Sequence, residues 1–170
     1  MKLYRFSPIT TEEGLLEAIR HVHIECMKLC KASFGEYFPV AGNMGIFCHY
    51  DDEYAYLTEV RKKLTEESDN LNQKYYRLHA PITIPAEGGI PEATYTHLYI
   101  RQPDIYRAQV GDLDFVMEEG RYEKAKANPP KGSRVFPRPD LDMIELYDYD
   151  VDALGYVSTH SMTEKVRVKQ

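Results

Sequence analysis

Residues 96–117 read THLYIRQPDIYRAQVGDLDFVM. Thr96, Leu98 and Ile100 alternate with His97, Tyr99 and Arg101, and Leu113, Phe115 and Met117 alternate with Asp112, Asp114 and Val116. A period of two is the signature of a strand with one buried face, because successive side chains point to opposite sides. The link between the runs, which contains Pro103, is short enough for an antiparallel hairpin. The spacing therefore predicts neighbouring strands whose apolar faces coincide. Their polar faces must then coincide too, bringing His97, Tyr99, Arg101, Asp112 and Asp114 to one surface.

Upstream the period changes. Leu15, Ile19, Val22, Cys26, Leu29 and Phe34 recur at helical spacing, and Leu16, His23, Met27 and Cys30 widen the stripe. Thr10 followed by Glu13 has the spacing of a capping box, Glu12 and Glu13 suit the positive end of the helix dipole, and Gly35 is a natural stop. A long helix over Thr11–Phe34 follows. Met44–Tyr50 is apolar on both parities and reads as an interior strand. Asp51 and Asp52 are caps for a second helix with Tyr54, Leu57, Val60 and Leu64 on its inner side.

Further on, Leu78, Ala80, Ile82 and Ile84 alternate with Arg77, His79 and Thr83, and Pro81 favours an edge or a bulge. That strand adds Arg77 and His79 to the polar surface. Glu118–Ala127 is a short helix. Val135, Leu141–Tyr147 and Leu154–Ser158 are later strands, Val166 and Val168 a last edge strand or a frayed tail, and Met1–Phe6 a first strand. Helices followed by strands predict a single α+β domain over residues 1–170. Its expected form has two layers, with the long N-terminal helix and the second helix packed on one face of a mainly antiparallel sheet.

Composition narrows the function classes. The 170 residues are 43% apolar and 28% charged, which fits a folded domain and not a disordered chain. No apolar run approaches the roughly 20 residues that span a bilayer. A net charge of −6 disfavours nucleic acid as partner. Three cysteines do not make a disulfide framework and suggest a reducing, cytoplasmic setting.

The shared polar face suggests chemistry. Arg101 can hold an anionic group in bidentate fashion. His97 can transfer protons near neutral pH. Asp112 and Asp114 can position water, or have the chemistry to take a hard cation such as Mg²⁺ or Mn²⁺. Tyr99, Arg77 and His79 complete the binding surface, with Asp104 and Arg107 on the rim. The expectation is a small intracellular enzyme acting on an anionic small molecule by acid–base or metal-assisted hydrolysis. No metal-ligand set is assigned and no cofactor is indicated. The alternative is a non-catalytic protein-binding or inhibitor-type module, with Tyr147, Tyr149 and Tyr156 as a recognition patch.

Other groupings are less productive. His23 and Cys30 are seven positions apart on one helix, roughly 10 Å along its axis, too far to share one zinc with Cys26. Cys48 and His49 point to opposite faces and cannot activate each other. Asp140 and Asp142 repeat the Asp-Leu-Asp spelling, and Asp148, Asp150 and Asp152 read as a solvated turn.

Overall fold

The computed structural model describes residues 2–138 and 141–168. The elements run α1 (Glu12–Phe34), β1 (Val40–Phe47), α2 (Asp51–Leu64), β2 (Tyr76–Ile84), β3 (Ala93–Arg101), β4 (Gly111–Val116), α3 (Glu119–Ala127), β5 (Ser133–Pro137), β6 (Asp142–Leu146), β7 (Ala153–Ser158) and α4 (His160–Arg167). The strands form one seven-stranded sheet in the order β2-β3-β1-β4-β7-β6-β5.

The fold is α+β, and the sheet is mixed, with four antiparallel pairings and two parallel ones. β1 pairs parallel with β3, and β4 parallel with β7. The expected hairpin of β3 and β4 does not form, because β1 lies between them, parallel to one and antiparallel to the other. The physical reason is burial on both faces. From Gly42 to Phe47 β1 is buried at every position, so it takes the centre, where both edges and both faces are covered.

The connectivity repeats. β1-α2-β2-β3 and β4-α3-β6-β7 each place their outer strands in parallel contact, with the middle strand antiparallel beyond. β5 extends the second unit at its edge. The two units meet at the antiparallel β1–β4 pair, so their connectivities are related by a two-fold. No repeat is visible in the sequence. Packing requires only apolar side chains of the right periodicity in each unit, not the same ones.

α1 spreads along the centre of one face. Its Leu15, Ile19, Val22, Cys26, Leu29 and Cys30 join Ile46, Leu98, Ile100, Leu113, Phe115, Ile144 and Val157 in the main core, with Leu57 and Val60 of α2. Thr11, not Thr10, caps it. The Thr11 hydroxyl accepts from the Gly14 amide at 3.0 Å, one of the orphan donors of the first turn. Gly35 closes the helix at φ 77°, a conformation that costs glycine least. Asp51 and Asp52 do open α2, but its N-cap is Tyr50, which makes no side-chain capping bond.

The opposite face is covered as well, which departs from the two-layer expectation. Phe47, Met143, Leu154 and Tyr156 form a second cluster with Tyr75 and with Val166 of α4. Val166 is thus helical, not in a last edge strand, and it is 1% exposed. Residues 2–8 form turns in place of a first strand. Met1 and Asp140 lie outside the described residues.

Candidate active site

The second face holds a cleft of about 810 Å³ between the two units. This volume is in the range of small-molecule sites. Corresponding strands of the repeats build its walls. β3 gives Tyr99 and Arg101, and β7 gives Tyr156. The segments leading into β2 and β6 give Lys74 and Arg138. Lys74 is placed by the end of α4, where the Lys74 and Tyr75 amides both donate to the Arg167 carbonyl at 2.9 Å. They satisfy an acceptor that the helix end leaves open. The Lys74 ammonium lies 5.2 Å from the Tyr99 ring centre. The Arg138 guanidinium lies 5.8 Å from that of Tyr156. Burial lowers the Lys74 pKa, and the Asp112 carboxylate opposes that shift.

β1 and β4 make the floor. Across the sheet Tyr99 faces Gly45, and Gly45 faces Asp112. A methyl group on Gly45 would lie 2.2 Å from Asp112 Oδ1, so this glycine makes room for the carboxylate. Asp112 is 5% exposed and accepts a hydrogen bond from the Tyr75 hydroxyl at 3.3 Å. Two residues along β4, Asp114 is 1% exposed. Its Oδ2 accepts from Asn43 Nδ2 at 3.0 Å, and Asn43 Oδ1 accepts from Arg167 Nε at 3.0 Å. Burial, reinforced by the nearby Asp112 charge, pushes the Asp114 pKa up to about 7.

Two of the wall cations have carboxylate partners. Arg101 pairs with Asp104 at 2.5 Å. Arg107 lies 3.9 Å from Glu145, which also takes Arg134 at 2.5 Å and the Tyr156 hydroxyl at 2.9 Å. Among the described residues no carboxylate lies within ion-pair distance of Lys74 or Arg138.

The structure gathers Tyr99, Arg101 and Asp112 at the cleft, with Asp104 and Arg107 on its rim, and sets Asp114 outside its lining, on the same face of β4 as Asp112. It separates them from His97, Arg77 and His79. Those three line another hollow, of about 550 Å³, with Glu66, Glu164 and Arg167. His97 is opposite Asn43 on one side and Arg77 on the other. Its pKa falls to about 4, chiefly by burial and then by the Arg167 charge, so it is neutral at pH 7. Sequence reading missed Lys74, Arg138 and Tyr75 at the cleft. The first and third adjoin a strand start, and Arg138 sits in a proline-flanked loop, so no periodicity marks them.

The remaining groupings resolve into packing. His23 Nδ1 hydrogen-bonds to the Tyr95 hydroxyl at 2.8 Å, and Cys26 donates to the Leu154 carbonyl at 3.1 Å. Cys48 is 1% exposed, and burial raises its thiol pKa. Among the described residues no three His, Cys, Asp or Glu side chains gather to hold a metal ion. Tyr156 belongs to the cleft wall, while Tyr147 and Tyr149 pack edge to face at 5.8 Å elsewhere.

Fold and site together define an α+β protein with a duplicated βαββ connectivity and a cation-walled cleft at the junction. No protein-family model matches the chain, and no curated protein does. A solved structure described as protein EC4020, from structural genomics, is similar in fold. It is 10% identical, with a TM-score of 0.50 over 97% of this chain and 98% of that one. At that identity the likeness is one of fold alone. No helix among the described residues is long and apolar enough to cross a membrane.

Proposed function

We propose that the cleft is the active site of an enzyme that acts on an anionic small molecule by acid–base chemistry, with hydrolysis as the reaction class. One observation carries this reading: Lys74 and Arg138, without carboxylate partners among the described residues, line the same cleft as the floor carboxylate Asp112. Cations left unpaired in a concave site are available to an anionic ligand. In this reading Lys74 and Arg138 hold the anion, and Arg101 and Tyr99 orient it. Asp112 takes the proton of an attacking water as general base. Tyr75 positions Asp112 through its 3.3 Å hydrogen bond. His97 has no part, since it lines the other hollow. A reducing, cytoplasmic setting suits the three free thiols.

Calorimetric titration with inorganic phosphate and turnover of p-nitrophenyl phosphate test the proposal. Wild type is expected to bind phosphate, and the double variant Lys74→Ala/Arg138→Ala to bind it at least about tenfold more weakly. Asp112→Asn should retain phosphate binding but lose turnover by about 100-fold or more. Equal titrations for wild type and the double variant would overturn the anion assignment. Binding without turnover would favour a second reading, a non-catalytic protein-binding or inhibitor-type module. That reading draws on Tyr106 and Tyr149, each 86% exposed.

A further inference from the structure

We infer that the molecule taken by this cleft is a phosphate monoester with an apolar body, its head between Lys74 and Arg138 and its body against Leu71 and Ile105. The inference rests on the anion-binding reading above and adds the class of ligand. Charge is the first argument. The cleft is lined by Lys74, Arg101, Arg107 and Arg138 and by Asp104 and Asp112, and with Glu145 and the Arg134 that shares it with Arg107 there are five cations against three carboxylates. The excess of two positive charges matches a dianion, which a phosphate monoester supplies and a single carboxylate does not. Lysine serves well here as a point charge for phosphate, and arginine as a fork.

The gradient of exposure is the second argument. The floor is closed, with Asp112 5% exposed, and the mouth is open, with Leu71 98% and Ile105 85% exposed. Both of these apolar residues line the one cleft, from separate loops. Scattered exposed leucines need no explanation, but apolar lips over a cationic interior fit a ligand with a charged end and an apolar end. Covering such a body removes apolar surface from water on both partners.

Binding of hexyl phosphate, inorganic phosphate and hexanol, each measured by calorimetry, tests this. Each methylene removed from water adds roughly fourfold in affinity, so a partly covered hexyl chain should add about 30-fold or more over inorganic phosphate. Hexanol should bind far more weakly than the ester. The double variant Leu71→Ser/Ile105→Ser changes only exposed side chains. It should remove most of the hexyl increment and leave inorganic phosphate binding unchanged. Equal affinity for hexyl and inorganic phosphate in wild type would overturn this inference and leave the anion reading standing. An increment that survives in the double variant, or hexanol binding as tightly as the ester, would also overturn it. Failure of wild type to bind either phosphate would overturn both.

Discussion

Asp114 shows how one residue ties folding to the site. It lies beside Asp112 on one face of β4, where water cannot solvate its charge and Asp112 adds a second negative charge nearby. Its pKa of about 7 stands above the ordinary carboxylate value of 3.8. Between those two values the folded protein holds a proton that the unfolded chain has released. Stability from this group is therefore full below the lower value and is lost as pH rises through the upper one. Asp114→Asn, with an amide in the same space, is expected to flatten the decline in stability between about pH 4 and 7. It should also leave the variant more stable than wild type at pH 8. Urea denaturation across that pH range measures both. An unchanged slope would mean that Asp114 is not the proton holder. The alternation of residues 111–116 already announces a polar side chain at this position. It does not reveal that α4 and Tyr75 bury that face, and burial is what moves the pKa.

At the scale of the element, local chemistry is the guide. α1 follows from the apolar stripe, its acidic first turn and its terminal glycine, all of which act within a few residues. The error of one residue at its cap arises because Thr10 and Thr11 are both capable acceptors, and the entry of the chain chooses between them. Thr11→Ala removes the 3.0 Å bond to the Gly14 amide and is expected to cost about 1 kcal/mol in urea denaturation. Thr10→Ala should cost far less. The strands follow from alternation, but β3 changes phase within its length: Ala93 and Tyr95 are buried, then Leu98 and Ile100. α4 illustrates the opposite failure. Val166 and Val168 suggest a strand by residue type, yet Val166 reaches the second apolar cluster from a helix. Tertiary packing outweighs a local preference worth only tenths of a kcal/mol per residue.

At the scale of the whole molecule, contacts distant in sequence tie the N-terminal segment and α1 to the loop before β7. Asp152, 2% exposed, takes Arg5 at 2.5 Å and His21 at 2.6 Å. Burial acts to raise its pKa, but the hydrogen bonds from His21 and Arg5 prevail and hold it below the ordinary carboxylate value. A depressed folded pKa gives stability that is present above the ordinary value and lost as pH falls through the folded one. Asp152→Asn is expected to cost about 2–3 kcal/mol at pH 7. The difference from wild type should shrink toward pH 3, as read by urea denaturation at the two pH values. The candidate site obeys the same division of scales. Its strand-borne members, Tyr99, Arg101 and Asp112, are legible because alternation assigns a side chain to a face before any partner is known. Lys74 and Arg138 are not legible, because their places depend on how a helix end and a loop settle against other strands. Most helices and strands, α4 and the N-terminal segment apart, and the polarity of their faces arise from interactions within a few residues, so the chain order suffices to read them. Which strands become neighbours, that β1 parts β3 from β4, and that His97 falls outside the cleft depend on burying all the apolar faces at once. That is a property of the assembled sheet, and no stretch of residues contains it.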